Sequence, residues 1–458
     1  MNDVVDFINV NRDRYVDELK QYLAIPSISA LPEHSADTRR AAQWTADAIK
    51  TAGMQNVTLI ETPGNPVVYG DWLDAPGKPT ILFYGHYDVQ PVDPLDLWTT
   101  PPFEASVRDG EIYARGSADD KGQVFMHIKA IEAHMKKAGR LPVNFKFFIE
   151  GEEEVGSVHL DDFVRSHKND LAADVVVISD SPMFDRGIPS ICYGLRGLTY
   201  FQIDMRGSKS DLHSGSFGGA VANPAYVLAT VLAQMKDKGN GRIKIPGFYD
   251  DVRPLSEEER AEWKKLPFNE TRYRKELGAP KLWGEKSYTT LERVWARPTF
   301  EINGLLSGFT GEGAKTVLPA LAMAKVSMRL VPDQDPKKIG DLFEAYVNKI
   351  TPKTVELKIT RMHGGKPWMT EFDNTYVRAA GRAIEKGFGK APVFNREGGS
   401  IPVVSTFQEE LGLPSVLFGV GLPDENAHAP NEKLDLSNFH NGIIASAFLY
   451  DEIANLDR

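Results

Sequence analysis

The chain contains 458 residues, more than one hydrophobic core usually serves, so we expect two domains. Its 63 acidic and 53 basic residues give a net charge of −10 without a charged tail, which argues against nucleic acid as a partner. The single cysteine, Cys192, excludes a disulfide within the chain, is typical of a reducing cytoplasm, and leaves His, Asp and Glu as ligands for any metal.

The first predicted element is an amphipathic helix near Val5 to Leu23. Its alternation of apolar and charged residues does not resemble a secretory signal, which needs a basic start followed by an apolar run. No stretch of the sequence reaches the roughly 18 apolar residues of a membrane span. We therefore expect a cytoplasmic protein without a membrane partner.

An alternation of strands and a helix follows, up to about residue 195. Apolar strands are predicted at 81–86, 143–150 and 175–179, and a helix at 121–139. This order is typical of an α/β sheet, in which functional groups collect at the strand ends.

The pattern changes from Leu198. A strand at 199–207, a helix at 224–236, a long polar and irregular segment, a strand at 321–331, a helix at 336–349 and a strand at 354–362 follow in order. These elements favour a small α+β unit.

The α/β pattern returns after about residue 367, with a helix near 376–386, a strand at 415–420 and a final helix near 438–454. The predicted fold class is therefore α/β, a mixed-sheet domain with helices on both faces that carries an inserted, smaller α+β lid. Residues 1–197 and 367–458 would form the discontinuous first domain, and residues 198–366 the lid.

Acidic and imidazole side chains follow the predicted strands of the first domain. His86 and Asp88 end the first strand, Glu153 and Glu154 follow the second, and Asp180 follows the third. Facing carboxylates at neighbouring strand ends repel one another unless a cation neutralises them. The pattern therefore indicates divalent metal ions, with Asp88 either a ligand or a partner that orients His86.

Two further segments extend this set. Asp119 lies in a Gly-bounded loop directly before the helix at 121–139, where an Asp is commonly a helix cap, and His428 lies in a polar loop after the strand at 415–420. Oxygen and imidazole ligands without thiolate suit zinc, manganese or cobalt. Two such ions would need a bridging carboxylate and a bridging water.

Seven ordered motifs together resemble a known family. They are GHYDVQP at 85–91, ARGSADDKG at 114–122, EGEEEVGS at 150–157, SDLHSGSFGG at 210–219, SMRLVP at 327–332, REGGSIP at 396–402 and AHAPNEK at 427–433. The family is that of the co-catalytic zinc aminoacylases and carboxypeptidases, which includes carnosinase, acetylornithine deacetylase and succinyl-diaminopimelate desuccinylase. The long insertion and two of the motifs resemble most the branch of cytosolic nonspecific dipeptidases and carnosinases.

The resemblance implies a metal centre with two divalent ions per subunit, zinc first and manganese or cobalt as alternatives. It implies that His86 and Asp180 bind one ion, that Glu154 and His428 bind the other, and that Asp119 bridges them.

The resemblance also implies three features of the catalytic loops. Asp88 would orient His86, and Glu153 would be the general base that moves a proton from water to the leaving amine. The peptide bond between Asp119 and Asp120 would be cis.

In the lid, the resemblance implies that His213 reaches the active site of the partner subunit of a homodimer and stabilises the oxyanion. Arg329 would hold a substrate carboxylate, which its forked guanidinium suits. The remaining implied substrate-binding residues are Thr316, His363, Gly399 and Ser400.

The predicted function is a di-metal metallopeptidase that cleaves dipeptides or short peptides with a bridging hydroxide and a glutamate base. One alternative keeps the metals but makes the substrate an acetyl or succinyl amino acid. Another is a metal-binding interaction protein without catalysis, which the intact Glu153 argues against.

Overall fold

The structure is a computed structural model that describes residues 1–371, 373–399 and 401–456. The chain divides into two compact units. The first comprises Met1–Tyr193, Thr370–Asn395 and Thr406–Arg458, and the second Gly194–Met369 and Arg396–Ser405. The segment Arg396–Ser405, which we had expected in the discontinuous first domain, thus groups with the second unit.

The α-helices of the described ranges are α1 Asn2–Val10, α2 Arg12–Leu23, α3 Ser35–Thr51, α4 Lys121–Ala138, α5 Leu160–Ser166, α6 Ser214–Phe217, α7 Pro224–Ala233, α8 Glu257–Lys264, α9 Glu270–Glu276, α10 Thr290–Ala296, α11 Pro336–Ile350, α12 Thr375–Phe388, α13 Pro402–Thr406 and α14 Leu436–Ala454. None of them combines the length and the apolar character that crossing a membrane requires.

The strands of the same ranges are β1 Gln55–Ile60, β2 Val67–Trp72, β3 Thr80–His86, β4 Ser106–Arg108, β5 Glu111–Tyr113, β6 Asn144–Glu150, β7 Val175–Ile178, β8 Ser190–Leu195, β9 Gly197–Arg206, β10 Leu212–His213, β11 Thr299–Ser307, β12 Val317–Leu318, β13 Leu321–Leu330, β14 Glu356–Gly365, β15 Trp368–Met369, β16 Val393–Glu397, β17 Ser415–Leu417 and β18 Lys433–Asp435.

The main sheet of the first unit is mixed, as predicted. Its strand order is β1-β2-β6-β3-β7-β17-β8, and β16 pairs with β8. The four central strands β6, β3, β7 and β17 are parallel to one another, and β2 and β8 flank them in the antiparallel direction. Parallel strands are usually covered on both faces, which explains why these segments are continuous apolar runs in the sequence.

This topology brings the carboxyl ends of three strands to one edge of the sheet. In the register of β3 with β6, His86 lies opposite Glu150, the residue that ends β6. In the register of β3 with β7, Tyr84 lies opposite Ile178, the last residue of β7. The segments that follow β6 and β7 therefore start next to His86.

The second unit contains a four-stranded antiparallel sheet in the order β11-β13-β9-β14. Helices α7 and α11 pack against it around a core that includes Phe201, Val326 and Phe343. Strand β11 was missed in the sequence, because most of its side chains are exposed and a register irregularity after Ile302 interrupts the alternation. Helices α8, α9 and α10 were also missed within the polar segment.

One predicted element differs in detail. The amphipathic helix near Val5 to Leu23 is two helices, α1 and α2, which meet at Asn11. The Asn11 side chain donates a hydrogen bond to the carbonyl of Phe7 at 2.8 Å, and such local bonds compete with regular helix geometry.

Candidate metal centre

A first group of potential metal ligands collects around His86. This histidine is fully buried at the end of β3. Its Nε2 lies 3.1 Å from Asp119 Oδ1 and 3.9 Å from Asp180 Oδ2. One ligand atom from each of the three residues lies within 4.8 Å of the others. This spacing suits one metal ion.

A second group shares Asp119 with the first. His428 Nε2 lies 2.9 Å from Asp119 Oδ2 and 3.2 Å from Glu154 Oε2. These three ligand atoms also lie within 4.8 Å of one another. Asp119 therefore directs one carboxylate oxygen towards each imidazole, which is the arrangement of a carboxylate that bridges two ions.

The electrostatics of both groups favour a positive charge between their carboxylates. Burial, reinforced by the negative charge of Asp119, raises the pKa of Asp180 to about 7. Hydrogen bonds to Asp119 and Glu154 raise the pKa of His428 to about 10. Without cations, protons are drawn in to reduce the repulsion between the carboxylates. Each group offers one imidazole nitrogen and two carboxylates, a donor set that fits a pair of divalent ions.

Glu153 precedes the candidate ligand Glu154 in the short 3₁₀ turn Glu153–Val155, which follows β6. Burial raises its pKa well above the ordinary value, and the charges of Asp180 and Glu154 raise it further. A carboxyl group whose pKa is raised above its ordinary value holds a proton more readily, which suits a group that accepts and returns one. This position is compatible with the predicted general base.

Asp88 connects the two groups without belonging to either. Its Oδ2 accepts hydrogen bonds from Ser29 Oγ at 2.6 Å and from the backbone N–H of Glu154 at 3.2 Å. The Nδ1 of His86 lies 3.1 Å from the carbonyl oxygen of Asp88 and 3.4 Å from its Oδ1. Both distances place Asp88 where it can fix the imidazole orientation.

The peptide bond between Asp119 and Asp120 is cis, which confirms the expectation drawn from the resemblance. Asp120 follows as the residue that precedes α4, and its Oδ2 accepts a hydrogen bond from the His86 backbone N–H at 3.3 Å.

Three residues that support the ligands were not assigned a role from the sequence. Gln90 Nε2 donates to Glu154 Oε2 at 2.6 Å, and Arg115 Nη1 donates to Glu432 Oε2 at 2.8 Å. All three lie inside motifs that the sequence analysis singled out. The sequence did not predict that Arg115 binds Glu432. The two residues are 317 positions apart, and no local pattern connects them.

In the second unit, the structure brings His213 and Thr316 together. Strands β10 and β12 form a two-stranded ribbon, and the N–H of Ser214 donates to the Thr316 carbonyl at 3.1 Å. His213 Nδ1 accepts hydrogen bonds from the backbone N–H groups of Gly215 and Ser216 at 3.0 and 3.3 Å. A neutral His213 consequently carries its proton on Nε2, which is then a hydrogen-bond donor.

The other predicted substrate residues also belong to the second unit. Arg329 is half-buried on β13, and burial lowers its pKa. His363 is exposed on β14 and stacks on Tyr200, with ring centroids 5.1 Å apart. Gly399 is exposed, and its carbonyl accepts from the N–H of Arg196 at 3.1 Å. Ser400 lies outside the described residues.

Arg196 is a further residue of this region whose role no motif in the sequence indicates. Its backbone N–H donates to the Gly399 carbonyl, and its side-chain Nε donates to the Gly398 carbonyl at 3.1 Å. Arg196 therefore binds two successive carbonyls of this glycine segment. Burial, together with the positive charge of Arg329, lowers the pKa of Arg196 to about 10.

The family model described as peptidase family M20/M25/M40 matches residues 82–450 of the chain. That range contains every metal ligand and substrate residue predicted above.

Individual proteins are similar over nearly the whole length. The Cys-Gly metallodipeptidase DUG1 of Candida albicans is 36% identical, over 95% of this chain and 94% of that protein. The human Beta-Ala-His dipeptidase is 33% identical, over 99% of this chain and 92% of that protein. The solved structure of the di-peptidase Dug1p from Saccharomyces cerevisiae superimposes with a TM-score of 0.86 at 32% identity, covering 100% of this chain and 99% of that one.

Proposed function

The chain belongs to peptidase family M20/M25/M40 and is a metallopeptidase, and on that premise we propose that it hydrolyses the amide bond of dipeptides with two divalent ions. The observation that carries the proposal is the position of Asp119, whose two carboxylate oxygens lie 3.1 and 2.9 Å from two different imidazoles. Hydrolysis of an amide needs a strong nucleophile at neutral pH, and a two-metal site supplies one.

We propose that one ion is held by His86, Asp119 and Asp180 and the other by Asp119, Glu154 and His428. Zinc is our first choice because the resemblance implies it, and the oxygen and imidazole donors also suit manganese or cobalt. Bound ions would polarise the scissile carbonyl and lower the pKa of a water molecule.

The protein's own residues perform the proton transfers. Glu153 accepts the proton of the attacking water and later delivers it to the leaving amine. Its pKa, raised by burial and by neighbouring carboxylates, suits both halves of this shuttle. Asp88 keeps the ring of His86 and the backbone of Glu154 in place through the contacts described above.

In the second unit, we propose that His213 donates its Nε2–H to the oxyanion, and that Arg329 binds the substrate carboxylate. The backbone bonds to His213 Nδ1 support the first role because they leave Nε2 as the donor. Partial burial of Arg329 supports the second, since a desolvated guanidinium binds a carboxylate more strongly. Thr316, His363, Gly399 and Ser400 complete the proposed substrate-binding set.

A homodimer in which His213 serves the partner's active site is part of the proposal. Strand β11 is an edge strand of the second unit's sheet. Leu305, Leu306 and Phe309, on and just beyond this strand, are 60%, 57% and 46% exposed. An exposed apolar edge strand is a site for pairing with another chain, which supports dimerisation.

The relatives named above act on Cys-Gly and β-Ala-His, according to their names, and this supports a dipeptide over an N-acyl amino acid. The deacylase alternative is accordingly not favoured. A cytoplasmic location is also proposed, and the sequence supports it because a single cysteine, Cys192, allows no disulfide within the chain.

The test is metal analysis of the purified protein together with hydrolysis of a panel of dipeptides and of acetyl and succinyl amino acids. We expect about two ions per chain and dipeptide cleavage that a chelator abolishes and zinc or manganese restores. If acetyl or succinyl amino acids were cleaved faster than dipeptides, the protein would be a deacylase instead. A protein that binds no metal would refute the mechanism.

A further inference from the structure

A buried ion pair is hydrogen-bonded to the backbone of the segments that carry the candidate metal ligands. Arg115 and Glu432 form a salt bridge of 2.8 Å, and their side chains are only 1% and 0% exposed. Neither residue belongs to the ligand groups. A buried pair of this kind adds little net stability, because the desolvation of both charges offsets their attraction. Its contacts indicate a different role.

The Glu432 carboxylate binds the loop that carries Asp119. Its Oε2 accepts from Arg115 Nη1 and from the backbone N–H of Gly116, both at 2.8 Å. Its Oε1 accepts from the backbone N–H groups of Ala118 and Asp119 at 2.9 and 3.1 Å. Four donors occupy the roughly four acceptor positions of a carboxylate, so the loop has one defined position relative to Glu432.

The Arg115 guanidinium, which binds Glu432, also donates hydrogen bonds to two further segments. Its Nη2 donates to the carbonyl of Pro91 at 3.1 Å and to the carbonyl of Ala429 at 3.4 Å. Pro91 ends the segment that begins at His86, and Ala429 directly follows His428. Three ligand-bearing segments therefore meet at one buried pair.

We infer that the Arg115–Glu432 pair is a positioning device for the metal centre, which sets the distance between Asp119 and His428. This inference rests on the proposed two-metal function. Glu432 is four residues from His428 and bonds to the backbone of Asp119, so it links two of the three ligands in one group. In the other group Glu432 contacts only Asp119. Arg115 reaches the His86 segment only at Pro91, five residues beyond His86, while His86 itself ends β3 and Asp180 follows β7.

The two ions should consequently respond unequally when the pair is broken. Removing the pair should weaken the ion held by Asp119, Glu154 and His428 more than the ion held by His86, Asp119 and Asp180. Loss of a hydrogen-bonding partner of metal ligands typically weakens metal binding about 10- to 100-fold.

The experiment compares Glu432→Gln with the wild-type protein. Glutamine has nearly the same shape but offers one acceptor oxygen, so one pair of donors loses its partner. Both proteins are stripped of metal with a chelator, checked for folding by far-UV circular dichroism, and titrated with Zn²⁺ by calorimetry. We expect two ions for the wild type, and for the variant one ion bound with little change and one bound about 10- to 100-fold more weakly. Turnover of a dipeptide should fall at low zinc and recover in part as zinc is raised.

The matched control is Glu132→Gln. Glu132 is also a buried carboxylate of the first unit, which accepts from Arg14 Nη2 at 2.6 Å and from Lys129 Nζ at 2.7 Å. Its bonds do not reach any ligand-bearing segment. We expect this variant to lose stability while it keeps both zinc affinities.

Arg115→Lys is the second variant, for the case that Glu432→Gln does not fold. Lysine keeps a positive charge beside Glu432 but cannot span Glu432, Pro91 and Ala429 at once. We expect the same unequal weakening of the two ions, smaller in size.

Three outcomes would overturn the inference. Unchanged zinc affinities in folded Glu432→Gln and Arg115→Lys would remove the positioning role and leave the proposed function intact. Equal weakening of both ions, shared by Glu132→Gln, would mark a general loss of stability. If neither variant folded while Glu132→Gln did, the pair would be a folding element only. A wild-type protein that binds fewer than two ions would refute the proposed function itself.

Discussion

The side chains of the candidate metal centre include several carboxylates, which repel one another unless a positive charge lies between them. Asp119, Glu154 and Asp180 are acidic, and burial raises the pKa of Asp180 to about 7. Hydrogen bonds to two of these carboxylates raise the pKa of His428 to about 10, so this imidazole supplies positive charge to the group. Repulsion between these carboxylates destabilises the fold, whereas the same carboxylates and imidazoles are suitable ligands for divalent ions.

Glu153 can be tested separately from metal binding. Glu153→Gln keeps the size of the side chain but cannot take up a proton, so we expect both ions to remain and kcat to fall about 10²- to 10⁴-fold. Metal content is measured by mass spectrometry and kcat with a dipeptide. The control is Glu152→Gln, because Glu152 lies in the same acidic run but pairs with His159 at 2.8 Å. Near-normal kcat in metal-loaded Glu153→Gln would contradict the role of Glu153.

His127 is expected to make stability depend on pH. It is fully buried, its Nδ1 is 2.9 Å from Tyr450 Oη, its Nε2 is 2.7 Å from Ser179 Oγ, and burial lowers its pKa from 6.5 to about 3. Between these values the unfolded chain binds a proton that the folded chain does not. The free energy of unfolding should therefore fall as pH decreases below 6.5, by about 1.4 kcal/mol per pH unit from this group.

The check is urea unfolding of the wild type and of His127→Gln at pH 7, 6 and 5 with a chelator present. Since glutamine does not titrate, the stability difference between the two proteins should shrink as pH falls. Parallel pH profiles would show that His127 does not contribute.

Among the secondary-structure elements, the contact of α12 with α14 depends on a glycine. A Cβ at Gly387 would lie 2.6 Å from the Cβ of Ala445 and 2.7 Å from its backbone nitrogen. The two helices can approach this closely only because Gly387 has no side chain. At Gly381, in the same helix, the nearest atom to an added Cβ would be Pro392 Cγ at 3.8 Å.

These two glycines form a matched pair of substitutions. Gly387→Ala should lower the free energy of unfolding by about 1–3 kcal/mol, because the helices must move apart. Gly381→Ala should raise it by up to about 1 kcal/mol, because alanine favours the helix and no contact is disturbed. Urea unfolding measures both. A higher free energy of unfolding for Gly387→Ala would show that α12 and α14 have room for a side chain between them.

For the molecule as a whole, the central question is whether one subunit is sufficient for catalysis. The proposed metal ligands and Glu153 belong to the first unit, while His213 and Arg329 belong to the second. If His213 serves the partner's active site, a monomer lacks one catalytic group, and assembly is a condition for activity.

Mixing two inactive proteins tests this arrangement. A dimer of one Glu153→Ala subunit and one His213→Ala subunit contains one complete active site. After random exchange of equal amounts, we expect up to about a quarter of the wild-type activity to return. Exchange is verified with differently tagged subunits. No recovery despite confirmed exchange would place His213 at the active site of its own chain.

Local sequence patterns determined much of this protein. Periodicity and neighbouring residues alone predict the apolar strands β3, β6 and β7 and helix α4. They also locate the acidic and imidazole residues at the ends of these elements. The same patterns failed for β11, whose side chains are mostly exposed and therefore lack the alternation that burial imposes. The resemblance already implied that Asp119 bridges the two groups, but only the tertiary structure shows how the charges meet. The fold places the Asp119 carboxylate between two imidazoles and pairs Arg115 with Glu432 across 317 positions. Such contacts depend on how the elements pack, and a one-dimensional pattern carries no record of distance between segments that are remote in the chain.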